Sequence, residues 1–347
     1  MSVATPFPDA RAGHADLAGF AELAAEQERL GDWDASAQWY SRLFRAALSA
    51  GEVTRAVNAL RGQARVRREQ GRLEEAAELA ELSHAIAEGH GLTQEVARAL
   101  NVLGIIRYAQ ALWPEAEALY EQALGLAMDT GDDELVGLAC QNLGVLANMQ
   151  GRLREARIRY LESIGASVRA SNKDAEMMAY NNLGVVCSDM QEWMEAQLYF
   201  ERGIEIAERI DALPYLVRLL ANRAKPLVQL GELARARDAL SRTEAVAVRI
   251  GSQVGLVEVA RLRGLIAWRE GKPDRARALL LEALALAERG GLDLERAEVL
   301  RDLGSLDAEQ GRHAEARQLL AAAHHGFVTV GARVEVERTE RMLEAAG

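Results

Sequence analysis

Apolar and polar positions along this chain recur in register every forty residues. Blocks cut from position 11 align eight times without a gap. Each block predicts an amphipathic helix, a short turn and a second amphipathic helix, placed at 133–149 and 154–170 in the fourth block. The turn segments run GDWDAS at 31, GRLEEA at 71, ALWPEA at 111 and GRLREA at 151, then QEWMEA at 191, GELARA at 231, GKPDRA at 271 and GRHAEA at 311.

Three columns give the repeat a physical meaning. One is always small: Ala24, Ala64, Gly104, Gly144, Gly184, Ala224, Gly264 and Gly304. A second, after the turn, is Ser36 and then alanine at 76, 116, 156, 196, 236, 276 and 316. Small side chains at both places let two antiparallel helices approach closely. The third is bulky except at Ala80: Tyr40, Tyr120, Tyr160, Phe200, Leu240, Leu280 and Leu320. A mid-helix glycine costs roughly 1 kcal/mol against alanine, so its recurrence needs such a packing reason. Links such as Thr130-Gly131-Asp132-Asp133 end the second helix and begin the next hairpin. Trp33, Trp113 and Trp193 alternate with Leu73, Leu153 and Leu233 in the turns, which suggests duplication of a two-hairpin unit. A lone hairpin cannot bury its apolar face, so stacking must supply the core.

These columns resemble the tetratricopeptide repeat over about residues 14–346. The forty-residue period, the missing repeat-end proline and the NLG strings at 142–144 and 182–184 resemble its longer-helix subclass, seen in kinesin light chains, bacterial peptide-sensing regulators and the maltose-regulon activator. The resemblance implies an all-α, right-handed superhelical solenoid of eight antiparallel helix hairpins. A flexible segment at 1–13 precedes repeats over 14–330, and a capping helix at 331–347 follows them. It also implies that the first helices line a concave, partner-binding groove.

On that reading the inward residues flank the small column. They are Arg61, Arg65 and Arg68; Arg98, Asn101, Ile105 and Tyr108; Gln141, Val145 and Asn148; Met178, Asn181 and Val185; Arg218 and Lys225; and Arg261. Central blocks combine an apolar floor with an amide row, which can exchange hydrogen bonds with any peptide backbone. Cations stand on both sides, and arginine's planar fork suits carboxylates. The expected partner is a protein or peptide segment carrying acidic and apolar residues. The alternative is a solvated face of intra-helix ion pairs, with Arg65 meeting Glu69, Arg98 meeting Glu95 and Arg261 meeting Glu258. Asn142, Asn182 and Asn222, one residue further round, read as structural groups bonding the neighbouring link. Pro226, inside the first helix of the sixth block, frees the carbonyl of Asn222.

Composition narrows the function further. The formal net charge is −11, which argues against general nucleic-acid or anionic-membrane binding. No apolar run reaches the length of a membrane span, and the N-terminus carries no signal-peptide pattern. Two unpaired cysteines, Cys140 and Cys187, suit a reducing compartment, and a cytoplasmic location is expected. Phosphate loops, HExxH and CxxC are missing, and His324-His325 point to different sides of a helix. No cofactor, metal or catalytic residue is expected. A regulatory sensor module of a bacterial signalling protein and a self-assembling homo-oligomeric scaffold remain as alternative functions.

Overall fold

The computed structural model describes residues 17–345; the 1–13 segment lies outside the described residues. Those residues form helices without a strand: α1 (Leu17–Leu30), α2 (Trp33–Ala50), α3 (Val53–Glu69), α4 (Leu73–Gly89), α5 (Thr93–Ala109), α6 (Trp113–Thr130), α7 (Asp133–Met149), α8 (Leu153–Arg169), α9 (Lys173–Asp189), α10 (Trp193–Arg209), α11 (Leu213–Gln229), α12 (Leu233–Ile250), α13 (Gln253–Arg269), α14 (Pro273–Gly290), α15 (Asp293–Glu309), α16 (His313–Thr329) and α17 (Arg333–Ala345). Odd and even helices pair as antiparallel hairpins, and α17 packs on α16. Pro226 sits inside α11 without ending it.

The backbone has a shorter period than the sequence. A left-handed residue stands at every twentieth position from 31 to 331: twelve glycines, with Ala111, Ser171, Gln191 and Asp211 completing the series. At each, two hydrogen bonds close the preceding helix. Gly31 N–H reaches the Glu28 carbonyl at 3.0 Å, and Asp32 N–H reaches back to Gln27 at 3.0 Å. This is the Schellman closure, which satisfies carbonyls that a helix end leaves open. It needs φ > 0, where glycine meets no steric penalty. Both kinds of connection, within a hairpin and between hairpins, therefore use one device.

The small column meets the bulky one. A Cβ at Gly104, Gly144 or Gly184 would lie 2.6, 2.7 or 2.6 Å from the ring of Tyr120, Tyr160 or Phe200 respectively. Ala64 shares a cluster with Ala80, and Ala224 with Leu240, whereas Gly264 and Gly304 face Leu280 and Leu320, where an added Cβ would lie 2.8 Å from the side chain. In the first block Tyr40 turns its ring onto Gly62 of α3.

The chain divides into two compact units, 1–142 and 143–347, with the division inside α7. In the first, α3 and α5 touch directly; in the second, α9, α11, α13 and α15 form a continuous layer of first helices. The second unit's largest core cluster is built around Tyr160, Met177, Leu183, Phe200, Leu219 and Leu220.

Candidate partner-binding surface

In the first unit the cations expected to face a ligand already face carboxylates. Arg61 is buried on α3, and its Nη1 lies 2.5 Å from Glu95 Oε2 on α5. Burial pulls its pKa below the usual guanidinium value, against the opposing effect of Glu95. Arg65 reaches back to Glu28 at 3.2 Å and to the Tyr40 hydroxyl at 3.1 Å; burial pushes that phenol up to about 12. Arg68 pairs with Glu69. Arg98 grips Asp132 Oδ2 through Nε at 3.2 Å and Nη2 at 2.8 Å. Glu95 and Asp132 stand 34 residues beyond their arginines, so these pairs bridge one repeat to the next. The sequence predicts intra-helix pairing for Arg65 and Arg98, but the close stacking of hairpins brings carboxylates of neighbouring helices nearer.

The amide row is also engaged. Asn101 is buried on α5 and accepts a hydrogen bond from Asn142 Nδ2 at 3.0 Å. Gln141 is buried, and its Oε1 has no hydrogen-bond partner among the described residues. Ile105 and Tyr108 are half-buried.

In the second unit Asn181 is buried and accepts from Asn222 Nδ2 at 3.0 Å, while its own Nδ2 donates to Asn182 at 3.2 Å. The sequence reading has Asn142 and Asn222 bonding the neighbouring link. They bond the amide of the preceding first helix instead, because a 41-residue offset places the two side chains opposite each other across adjacent first helices. Val145, Met178 and Val185 are half-buried against the core cluster, and Asn148 is half-buried. Arg218 is exposed, its guanidinium 5.6 Å from the Tyr215 ring centroid.

Beyond α11 the residues expected to face a partner join an ion network. Arg261 is 3% exposed. Its Nε and Nη2 each lie 2.8 Å from a Glu258 oxygen, and its Nη1 lies 2.7 Å from Asp302 Oδ2, with Glu298 at 3.3 Å. Lys225 meets Glu258 at 3.1 Å. Arg301 contacts Asp302 at 3.2 Å and also pairs with Glu335. Burial works to raise the Glu258 pKa, but Arg261 and Lys225 hold it down at about 2. The Arg261–Glu258 pair is the intra-helix pairing read from sequence. Its extension to α15 and α17 escapes that reading, although Asp302 follows Arg261 at the same 41-residue offset as the asparagine pairs. Among the described residues no group of three His, Cys, Asp or Glu side chains could hold a metal ion. Cys187 is buried, and burial raises its thiol to about 11, far from a nucleophile's range. No helix among the described residues is long and apolar enough to cross a membrane.

Residues 95–166 and 256–324 match the tetratricopeptide repeat family. No curated protein matches the chain. Its fold is similar to that of apo RapI, with TM-score 0.68 and 12% identity over 81% of this chain and 99% of that one. The apo quorum sensor NprR from B. thuringiensis aligns with TM-score 0.62 and 14% identity, over 95% of this chain and 87% of that one. Aspartyl phosphate phosphatase F from Bacillus subtilis aligns with TM-score 0.63 and 12% identity, over 82% and 75%. The two matched segments carry the tetratricopeptide-repeat pattern, and the all-helical fold they belong to is similar to those of RapI and NprR.

Proposed function

We propose that this chain binds protein or peptide segments on the faces of its first helices and performs no chemistry of its own. The observation that supports this is the contrast between columns. The packing columns are nearly uniform through the repeats, whereas the flanking positions vary from block to block. Ile105 in the first unit, and Val145, Asn148, Met178 and Val185 in the second, are half-buried side chains beside amides. That mixture suits an extended or helical segment, with apolar side chains seated on the floor and backbone groups bonded by amides. Acidic groups on such a segment would have to compete with Glu95, Asp132 and Glu258 for the arginines and Lys225. The acidic preference of this face therefore rests on Arg218, which pairs with no such carboxylate among the described residues.

The likeness to NprR, whose structure is that of a quorum sensor, favours a second reading as a regulatory sensor module. The likeness to an aspartyl phosphate phosphatase concerns the fold at 12% identity and carries no activity to this chain. The test is selection of displayed random peptides on the immobilised chain, followed by rebinding to Ile105→Glu and Val185→Glu variants. The selected clones should lose binding to at least one of the two. Clones that bind both variants as well as the parent would refute the first-helix surface.

A further inference from the structure

A second surface, lined by none of the residues proposed to bind a partner on the first helices, lies where the sixth and seventh blocks meet. A cleft of about 600 Å³ opens between α12, α13 and α14. Arg237, Arg263, Lys272 and Arg275 line it together with one carboxylate, Glu270, and its apolar lining is Ile266, Ala267 and Leu279. In a chain of net charge −11 such an excess of cations needs a local cause.

The repeat itself supplies the comparison. Where blocks three, four, five and eight carry leucine (Leu103, Leu143, Leu183, Leu303), blocks six and seven carry Arg223 and Arg263. Where blocks two to five and block eight carry glutamate (Glu75, Glu115, Glu155, Glu195, Glu315), the same two blocks carry Arg235 and Arg275. In the sixth block one carboxylate answers both arginines: Glu201 of α10 lies 3.1 Å from Arg223 and 3.5 Å from Arg235. Forty residues on, the position of Glu201 is Ser241, which lines the cleft. Arg263 turns instead to Glu244, held by bonds of 2.9 and 2.7 Å. Glu270 is shared by Arg237 and by Lys272, the latter at 3.1 Å. Arg275 is exposed and has no ion-pair partner among the described residues. The seventh block thus keeps the cations of the sixth and lacks its carboxylate.

We propose that this cleft docks an acidic peptide segment of a partner protein, one of whose carboxylates takes the place that Glu201 fills one repeat earlier. A guanidinium fork accepts a carboxylate through two parallel bonds. Half-buried Leu279 receives a neighbouring apolar side chain, Ile266 and Ala267 being core residues, and that contact distinguishes a peptide from a small free anion. The site is independent of the first-helix surface, and the two fail separately under test.

The probe is a fluorescein-labelled peptide of alternating glutamate and leucine, titrated with the full-length chain at low salt and read by anisotropy. Ser241→Glu supplies the missing carboxylate from within, so it should weaken the peptide at least tenfold and raise the melting midpoint. Arg275→Glu should also weaken it at least tenfold, while Arg289→Glu, the same charge reversal at an exposed residue outside the cleft, should leave it unchanged. Citrate should compete only at concentrations well above those of unlabelled peptide. The proposal is overturned by no binding to the parent chain, by unchanged binding to Ser241→Glu, by a loss on Arg289→Glu as large as that on Arg275→Glu, or by citrate competing as well as the peptide.

Discussion

Gly144→Ala tests the packing account of the repeat through the sign of its effect. In an open helix position this change stabilises by roughly 1 kcal/mol, because alanine is the better helix former. Gly125 in α6 is such a position, exposed and with nothing within 4 Å of an added methyl carbon. At Gly144 the methyl would lie 2.7 Å from Tyr160 Cε1, 2.9 Å from Cδ1 and 3.0 Å from Cζ. Tyr160 is 2% exposed within the core cluster, so its ring has nowhere to retreat. Overpacking of this kind costs about 1–3 kcal/mol. Set against the propensity gain, the net change is a loss of about 0–2 kcal/mol, whereas Gly125→Ala should gain about 1 kcal/mol. Urea unfolding followed by far-UV circular dichroism measures both. A third variant sharpens the test: Tyr160→Ala should largely remove the penalty of Gly144→Ala, because Ala64 and Ala80 already coexist at the equivalent pair. The non-additivity in that double-mutant cycle should be about 1–3 kcal/mol and favourable. Equal stabilisation by Gly144→Ala and Gly125→Ala would refute the close-approach explanation of the small column.

Glycine substitutions at Ala111, Ser171, Gln191 and Asp211 should each raise stability. A left-handed non-glycine costs roughly 1–2 kcal/mol, partly offset by the greater unfolded-state freedom of glycine, and thermal melts of single and combined variants would show it. Arg261→Leu leaves buried Glu258 with Lys225 alone and buried Asp302 with Arg301 alone, and should destabilise by about 3–5 kcal/mol. The exposed Arg202→Leu should change stability by less than about 1 kcal/mol, and urea midpoints separate the two. Glu258, held down at about 2 in the folded chain, contributes stability that is complete above its unfolded value near 4.3. That contribution disappears as the pH falls from about 4.5 to 2. Between pH 7 and pH 3 the parent should therefore lose more stability than Glu258→Gln; parallel losses would contradict the assignment.

The fold was legible because its determinants are short in sequence. The small, alanine and bulky columns recur within one block, and so do the turn glycines. The twenty-residue backbone period was partly hidden, since Ala111, Ser171, Gln191 and Asp211 adopt the glycine conformation without a glycine. The arginines expected to face a ligand were legible as residues, but the carboxylates they pair with across helices were not. Arg61, Arg65, Arg98 and Arg261 have partners 34, 37 or 41 residues away, a distance at which local pairing rules say nothing until hairpins are stacked. The asparagine pairs were hidden for the same reason: an amide facing a neighbouring helix has the same local surroundings in sequence as one facing solvent. The cleft between the sixth and seventh blocks became visible only by comparing blocks in space, where Ser241 replaces the carboxylate that answers Arg223 and Arg235.

The uniform closure at every twentieth residue also constrains how such a gene can change length. An α-helix advances about 100° per residue, so one codon inserted between two closures would rotate every following packing column away from its partner. Adding twenty codons would keep the closures but exchange first helices for second ones, setting bulky residues where Gly104, Gly144 and Gly184 must stand. Only a forty-codon duplication or loss restores both closures and columns, so descendants of this array should differ from it in steps of one whole hairpin.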